Sequence, residues 1–128
     1  MKYRTLGRTG LKVSVVGLGT WQLGGEWGKT FDQSEVDAIL DKAAESGINL
    51  IDTAECYGDH LAERLVGDYL SRHDRDSWIV ATKFGHAFNG FMDRTDRFGA
   101  EEVKTQLVAS LRALRTDRID IYQFHSGS

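Results

Sequence analysis

Apolar positions along this chain recur with two periods, and the switches between them mark out most of the elements. Val36, Ile39, Leu40, Ala43 and Ala44 repeat at helical spacing behind Asp32 and Glu35, a pair that resembles an N-terminal cap, and Gly47 supplies the stop. A second stripe, Leu61, Leu65, Val66, Tyr69 and Leu70, predicts a helix over about 60–71. A third, Val103, Leu107, Leu111 and Leu114, predicts one over about 100–115, with Glu101 and Glu102 in its first turn and Arg112 and Arg115 in its last, as the helix dipole favours. Between the helices lie short β-prone runs at 15–20 (VVGLGT, read as a buried strand), 48–53, 78–84 (WIVATKF) and 119–125 (IDIYQFH). Ahead of them, 2–6 and 11–14 flank a Gly-Arg-Thr-Gly turn and predict a β-hairpin, with Gly7 and Gly10 as its permissive positions. Segment 86–99 carries Phe88, Phe91 and Phe98 and reads as a long loop.

The order is a β-hairpin followed by βαβαβαβ. Strands alternating with helices of this length predict a parallel α/β sheet with right-handed crossovers, either doubly wound or part of a (β/α) barrel. In both, ligands sit at the carboxyl ends of the strands. Polar residues stand at three of those ends: Asp52, Lys83 and His125. The parity that turns them inward also turns in Leu50, Ile79, Ala81, Ile119, Ile121 and Gln123, all apolar but the last. On this reading Asp52 is a buried carboxylate, which needs a partner because an unpaired buried charge costs several kcal/mol, and Lys83 can be that partner.

Tyr57, on the loop beyond Asp52, reaches the same rim. A phenol titrates near ~10, and a nearby ammonium lowers that value by stabilising the phenolate. Tyrosine as proton donor, lysine as tuner, aspartate as anchor and histidine as positioner suit protonation of a carbonyl oxygen, with hydride from a nicotinamide because no side chain supplies one.

Length and composition narrow the classes. The 128 residues are 41% hydrophobic, enough for one domain over 1–128 with its own core. A net charge of −3 from well-mixed residues argues for a small-molecule partner and against nucleic acid. No stretch approaches a membrane span, the N-terminus has no signal-like apolar core, and the single cysteine, Cys56, has no partner for an internal disulfide; the expected setting is cytoplasmic. No metal site is expected. Cys56 reads as a small loop residue, His60, His73 and His86 as surface or loop residues, and segments 72–76 and 115–120 as solvated connections.

Two nucleotide motifs come close and fail. Gly17-Leu18-Gly19 opens a G-x-G-x-x-G, but Gln22 occupies the closing position. Gly28-Lys29-Thr30 is placed as a P-loop would be, yet the glycine required five residues earlier is Leu23, so a phosphate binder there is a remote alternative.

GINLIDTAECYG, ATKFG and DIYQFHS, with RTLGRTGLKVSVVGLGTW at the start and ERLVG after the tyrosine, resemble the aldo-keto reductase superfamily over the whole chain. The resemblance implies an NAD(P)H-dependent carbonyl reductase with Asp52, Tyr57, Lys83 and His125 as its catalytic tetrad and NADP (NADPH) as cofactor. It implies that Gly19, Thr20 and Trp21 lie near the nicotinamide and Asp52 near its ribose, with Trp27, Phe88 and Phe91 lining a substrate pocket. It also implies an eight-stranded (β/α) barrel of ~250 residues, of which four strands and three helices are present. The chain is therefore expected to be a truncated half barrel with little activity alone, its first and fourth strands covered by a second copy in a homo-oligomer or by a missing C-terminal half. The alternative from another class is a non-catalytic binding or regulatory module that kept the half barrel.

Overall fold

The structure, a computed structural model, describes residues 1–125. In chain order the elements are β1 (Tyr3–Thr5), β2 (Lys12–Ser14), β3 (Leu18–Gly19), α1 (Gln33–Glu45), β4 (Leu50–Asp52), α2 (Leu61–Ser71), β5 (Ile79–Phe84), β6 (His86–Gly90), β7 (Asp93–Asp96), α3 (Ala100–Leu114) and β8 (Ile121–Phe124). β1 and β2 form the predicted antiparallel hairpin, with Arg4 opposite Val13. The parallel sheet runs β3, β4, β5, β8, one helix lying between each consecutive pair in sequence. A doubly wound sheet would reverse direction and place its first strand inside. Strand order that follows chain order without reversal is the winding of a (β/α) barrel, and this is about half of one.

The helices form where the stripes predict, and their ends explain why. The Asp32 carboxylate accepts the Glu35 amide at 2.9 Å and starts α1, while the Glu35 side chain turns to Lys29 at 2.8 Å and leaves the cap one-sided. Gly47 ends the helix at φ +86°, a conformation that costs glycine little. Val36, Leu40, Ile51, Val66, Val80 and Leu114 are fully buried between the helices and the convex face of the sheet. Each contributes roughly 1.5–3 kcal/mol of apolar burial. Trp78 seals that layer, edge-on to Tyr69 with ring centroids 6.1 Å apart.

This core corrects one expectation. Parity does place Leu50 and Asp52 on one face, but in β4 the buried residue is Ile51, which points the other way. Asp52 faces the concave side, which four strands cannot close, and its side chain is 43% exposed. The buried carboxylates are Glu26, Glu55 and, most completely, Glu63 on α2, which accepts the Thr82 hydroxyl at 2.7 Å and pairs with His60 Nδ1 at 2.5 Å.

Three other segments differ from expectation. Of 15–20 only Leu18 and Gly19 enter the sheet; Val15 and Val16 are half exposed, because the Val15 amide bonds Lys2 and the Ser14 hydroxyl bonds the Val16 carbonyl instead of a strand neighbour. Residues 86–99 are largely no loop: β6 and β7 pair as a hairpin that turns through Met92 at φ +58°. Its tip is fastened by the Met92 amide, which donates to the Glu26 carboxylate at 2.7 Å. Segments 72–76 and 115–120 are joined by a nearly buried ion pair, Arg75 to Asp120 at 2.9 Å, and Asp120 also accepts the Val80 amide at 2.9 Å. Among the described residues no helix is long and apolar enough to cross a membrane.

Candidate active site

Four strand ends meet on the concave rim. Sheet register sets Gly19 beside Asp52, Asp52 beside Ala81 and Lys83 beside Gln123, and the His125 amide extends the ladder by donating to the Phe84 carbonyl at 2.8 Å. Lys83 Nζ donates to Asp52 Oδ1 at 2.9 Å and to the Thr53 carbonyl at 2.8 Å. The same ammonium lies 5.3 Å from the centroid of the Tyr57 ring. Tyr57 and His125 stand edge to face, with ring centroids 6.0 Å apart. Asp52, Tyr57, Lys83 and His125, named from sequence, are thus brought together.

Two backbone contacts hold the tyrosine and its neighbours in register. The amide and the hydroxyl of Thr20 both donate to the Asp52 carbonyl at 3.0 Å, tying the Gly19–Thr20–Trp21 stretch to the end of β4. Gly24 lies so close to the Tyr57 loop that a Cβ there would sit 2.6 Å from the Tyr57 carbonyl carbon. Any larger residue would move that loop.

Burial dominates the electrostatics. It pushes the Tyr57 phenol above its ordinary value, and the Lys83 charge, itself opposed by Asp52, offsets only part of this. The expected lowering by Lys83 is therefore outweighed. Burial also lowers the His125 imidazole, reinforced by repulsion from His86 and Lys83, which favours the neutral ring. Glu55, buried just behind the rim, is pushed up to about 7 by desolvation.

A cavity of about 350 Å³ opens between these groups, lined by Trp21, Cys56, Tyr57, His86, Met92, Arg94 and His125. Four of these were not picked from sequence as site residues. Cys56 is buried, and its Sγ lies 3.4 Å from His125 Nδ1. His86 packs on His125 with ring centroids 4.9 Å apart, so it is no surface residue. Arg94 pairs with the buried Glu26 and donates to the Cys56 carbonyl, joining the β6–β7 hairpin to the tyrosine loop. No local pattern signals these contacts, since Glu26 and Arg94 are 68 positions apart.

The remaining candidates lie around the mouth. Trp21 is 40% exposed and Trp27, 68% exposed, stands beside it with ring centroids 5.8 Å apart. Phe91 is exposed at the hairpin tip. Phe88 carries the Arg94 guanidinium 4.7 Å above its ring and lines a different cavity, of about 400 Å³, with Glu55, His60 and Gln106. Lys29, the cation of the near P-loop, pairs with Glu35 at 2.8 Å on the exposed surface and lies 4.6 Å from the Phe31 ring centroid.

Known proteins share this chain's fold and part of its sequence. The chain is 38% identical to an aldo-keto reductase of Bacillus subtilis over 98% of its own length and 38% of the relative's. It is 39% identical to an NADH-specific methylglyoxal reductase of Escherichia coli, covering 98% of this chain and 42% of that one. The chain thus spans about two-fifths of the length of the curated relatives it matches. Among solved structures, the holo form of an aldo-keto reductase of Bacillus halodurans superposes with a TM-score of 0.88 at 37% identity, over 100% of this chain and 41% of that one. A Klebsiella pneumoniae aldo-keto reductase solved in complex with NADPH gives 0.74 at 29%, over 100% and 41%. The aldo/keto reductase family profile matches residues 15–127, and this chain belongs to that family.

Proposed function

We propose that the chain carries the proton-transfer rim of an NAD(P)H-dependent oxidoreductase that reduces aldehydes or ketones to alcohols. The observation that supports this reading is the Lys83 ammonium, fixed by Asp52 at 2.9 Å and by the Thr53 carbonyl at 2.8 Å, beside the Tyr57 ring. A phenol carries its proton at neutral pH, and burial raises the Tyr57 value further, so Tyr57 is in the state a donor needs. As a carbonyl oxygen gains electron density, Tyr57 gives it that proton, and Lys83 stabilises the phenolate left behind. His125, neutral on the opposite side of the cavity, orients the same oxygen by a hydrogen bond.

A nicotinamide cofactor, when bound, supplies the hydride. The residues present suit one. Among the described residues the second oxygen of Asp52 takes no hydrogen bond and is open to a ribose hydroxyl, while a Cβ at Gly19 would meet nothing within 4 Å, leaving room for close approach. Trp21 adds an exposed aromatic face. NADPH is the cofactor to test first, since it is bound in the Klebsiella relative. The Cys56 thiol, buried and free, suits a reducing setting such as the cytoplasm.

In this reading the concave face and the open edge at β8, where Phe124 is 50% exposed, are covered in the active assembly by further βα units or by a second copy of the chain. The isolated chain therefore turns over slowly. The test is to titrate NADPH while following its fluorescence and its oxidation in the presence of methylglyoxal. Carbonyl-dependent oxidation that falls about 10²–10⁴-fold in Tyr57→Phe is the expected result. No binding at millimolar NADPH would overturn the reading for this chain and leave a non-catalytic half barrel.

A further inference from the structure

Cys56, His86 and His125 come from three separate segments, yet one ligand atom from each lies within 4.8 Å of the other two. Two of the three already stand at a metal-like spacing, Cys56 Sγ and His125 Nδ1 at 3.4 Å. In a tetrahedral zinc site, with Zn–S near 2.3 Å and Zn–N near 2.0–2.1 Å, the donor atoms stand about 3.3–3.6 Å apart. The remaining spacings, at most 4.8 Å, exceed that range by about 1 Å or less.

His86 makes the arrangement hard to read as ordinary packing. Its Nδ1 is buried and has no hydrogen-bond partner among the described residues, while its Nε2 lies 3.7 Å from the Asp96 carboxylate. A carboxylate behind one ring nitrogen and a bare lone pair at the other is how histidines are oriented toward metals. A buried polar atom left without a partner is otherwise destabilising. Of the positive charges beside the cluster, Arg94 is paired with Glu26 and Lys83 with Asp52. All three ligands border the 350 Å³ cavity, which gives a fourth coordination position room for water.

We propose that Cys56, His86 and His125 form a three-ligand site for a thiophilic divalent cation of the zinc class. The Cys56 Sγ–H bond breaks as the S–metal bond forms, releasing one proton to solvent, and each neutral imidazole contributes one lone pair. Binding stands independently of the reductase reading. If that reading holds, the bound cation also blocks His125 and silences turnover.

Cobalt(II) is the probe, because a thiolate–cobalt bond gives an intense near-ultraviolet charge-transfer band and Cys56 is the only thiol in the chain. The purified protein is titrated with Co²⁺, and Zn²⁺ is then added to displace it. The expected result is the sulfur band saturating at one equivalent, its loss in Cys56→Ser, and affinity weakened at least tenfold in His86→Asn. Absence of the band in the parent protein overturns the proposal whether or not the variants fold. So does a band of undiminished affinity in a folded His86→Asn protein. Because the readout is spectroscopic, an inactive chain that shows the band keeps this site while the reductase reading fails.

Discussion

Adjacent residues of β4 show the two faces of the sheet. Ile51 points to the helices and is fully buried, whereas Leu50 and Asp52 point into the open arc and stay partly exposed. In β5 the contrast appears only at the strand's end, where Ile79, Val80, Ala81 and Thr82 are all buried while Lys83 reaches the rim half-buried. Cohesion in this chain lives on the convex side and chemistry on the concave one. A half barrel can thus hold its site residues in register without enclosing them. The helix-side layer fixes the backbone, and the register then delivers Asp52 and Lys83 to one another at 2.9 Å.

The comparison is most directly broken by truncating the two neighbours. Ile51→Ala should cost about 2–5 kcal/mol of unfolding free energy, as deletions in packed cores do. Leu50→Ala should cost roughly 1 kcal/mol or less, since less of its surface leaves water. Equal losses in denaturant unfolding would mean that something covers the concave face in solution. Repeating the pair at rising protein concentration would show whether a second copy does so.

A smaller effect separates the amino-terminal end of the strands from the rim. Asp120 is nearly buried, which alone would raise its carboxyl, but the Val80 amide and the Arg75 guanidinium hold it below its ordinary value of 3.8. A group depressed in the folded state contributes stability that is complete above its unfolded value and is lost as pH falls through its folded value. Asp120→Asn should therefore cost about 1–3 kcal/mol at pH 7, and the deficit should shrink below pH ~3.8. Thermal melts of both proteins from about pH 2.5 to 7, across the carboxylate range, check this. A deficit that does not change with pH would place the effect in packing and not in the charge.

The smallest effect is expected at the surface. Lys29→Ala removes an exposed pair with Glu35 and should change stability by less than about 0.5 kcal/mol. Nucleotide triphosphate binding that disappeared in this variant would revive the P-loop alternative.

Much of this architecture was legible in the residues, and the failures share one cause. The stripes of α1, α2 and α3, the chain order of the strands and the common facing of Leu50, Asp52, Ile79 and Lys83 are local properties of period and parity. The β6–β7 hairpin escaped notice because HAFNG and DRTD show no apolar alternation, and Glu26 holds its tip from another segment. Glu63 escaped because a carboxylate inside an amphipathic helix reads as solvated until Thr82 and His60 close on it.

By itself, then, the sequence determined which side chains share a face, which strand ends carry an acid and bases, and that a phenol follows on the next loop, because backbone geometry transmits those relations over a few residues. Tertiary structure alone decided which face is buried, that Lys83 cannot outweigh the desolvation of Tyr57, and that Cys56, His86 and His125 converge. Burial and desolvation depend on groups dozens of positions away, and no local pattern encodes them.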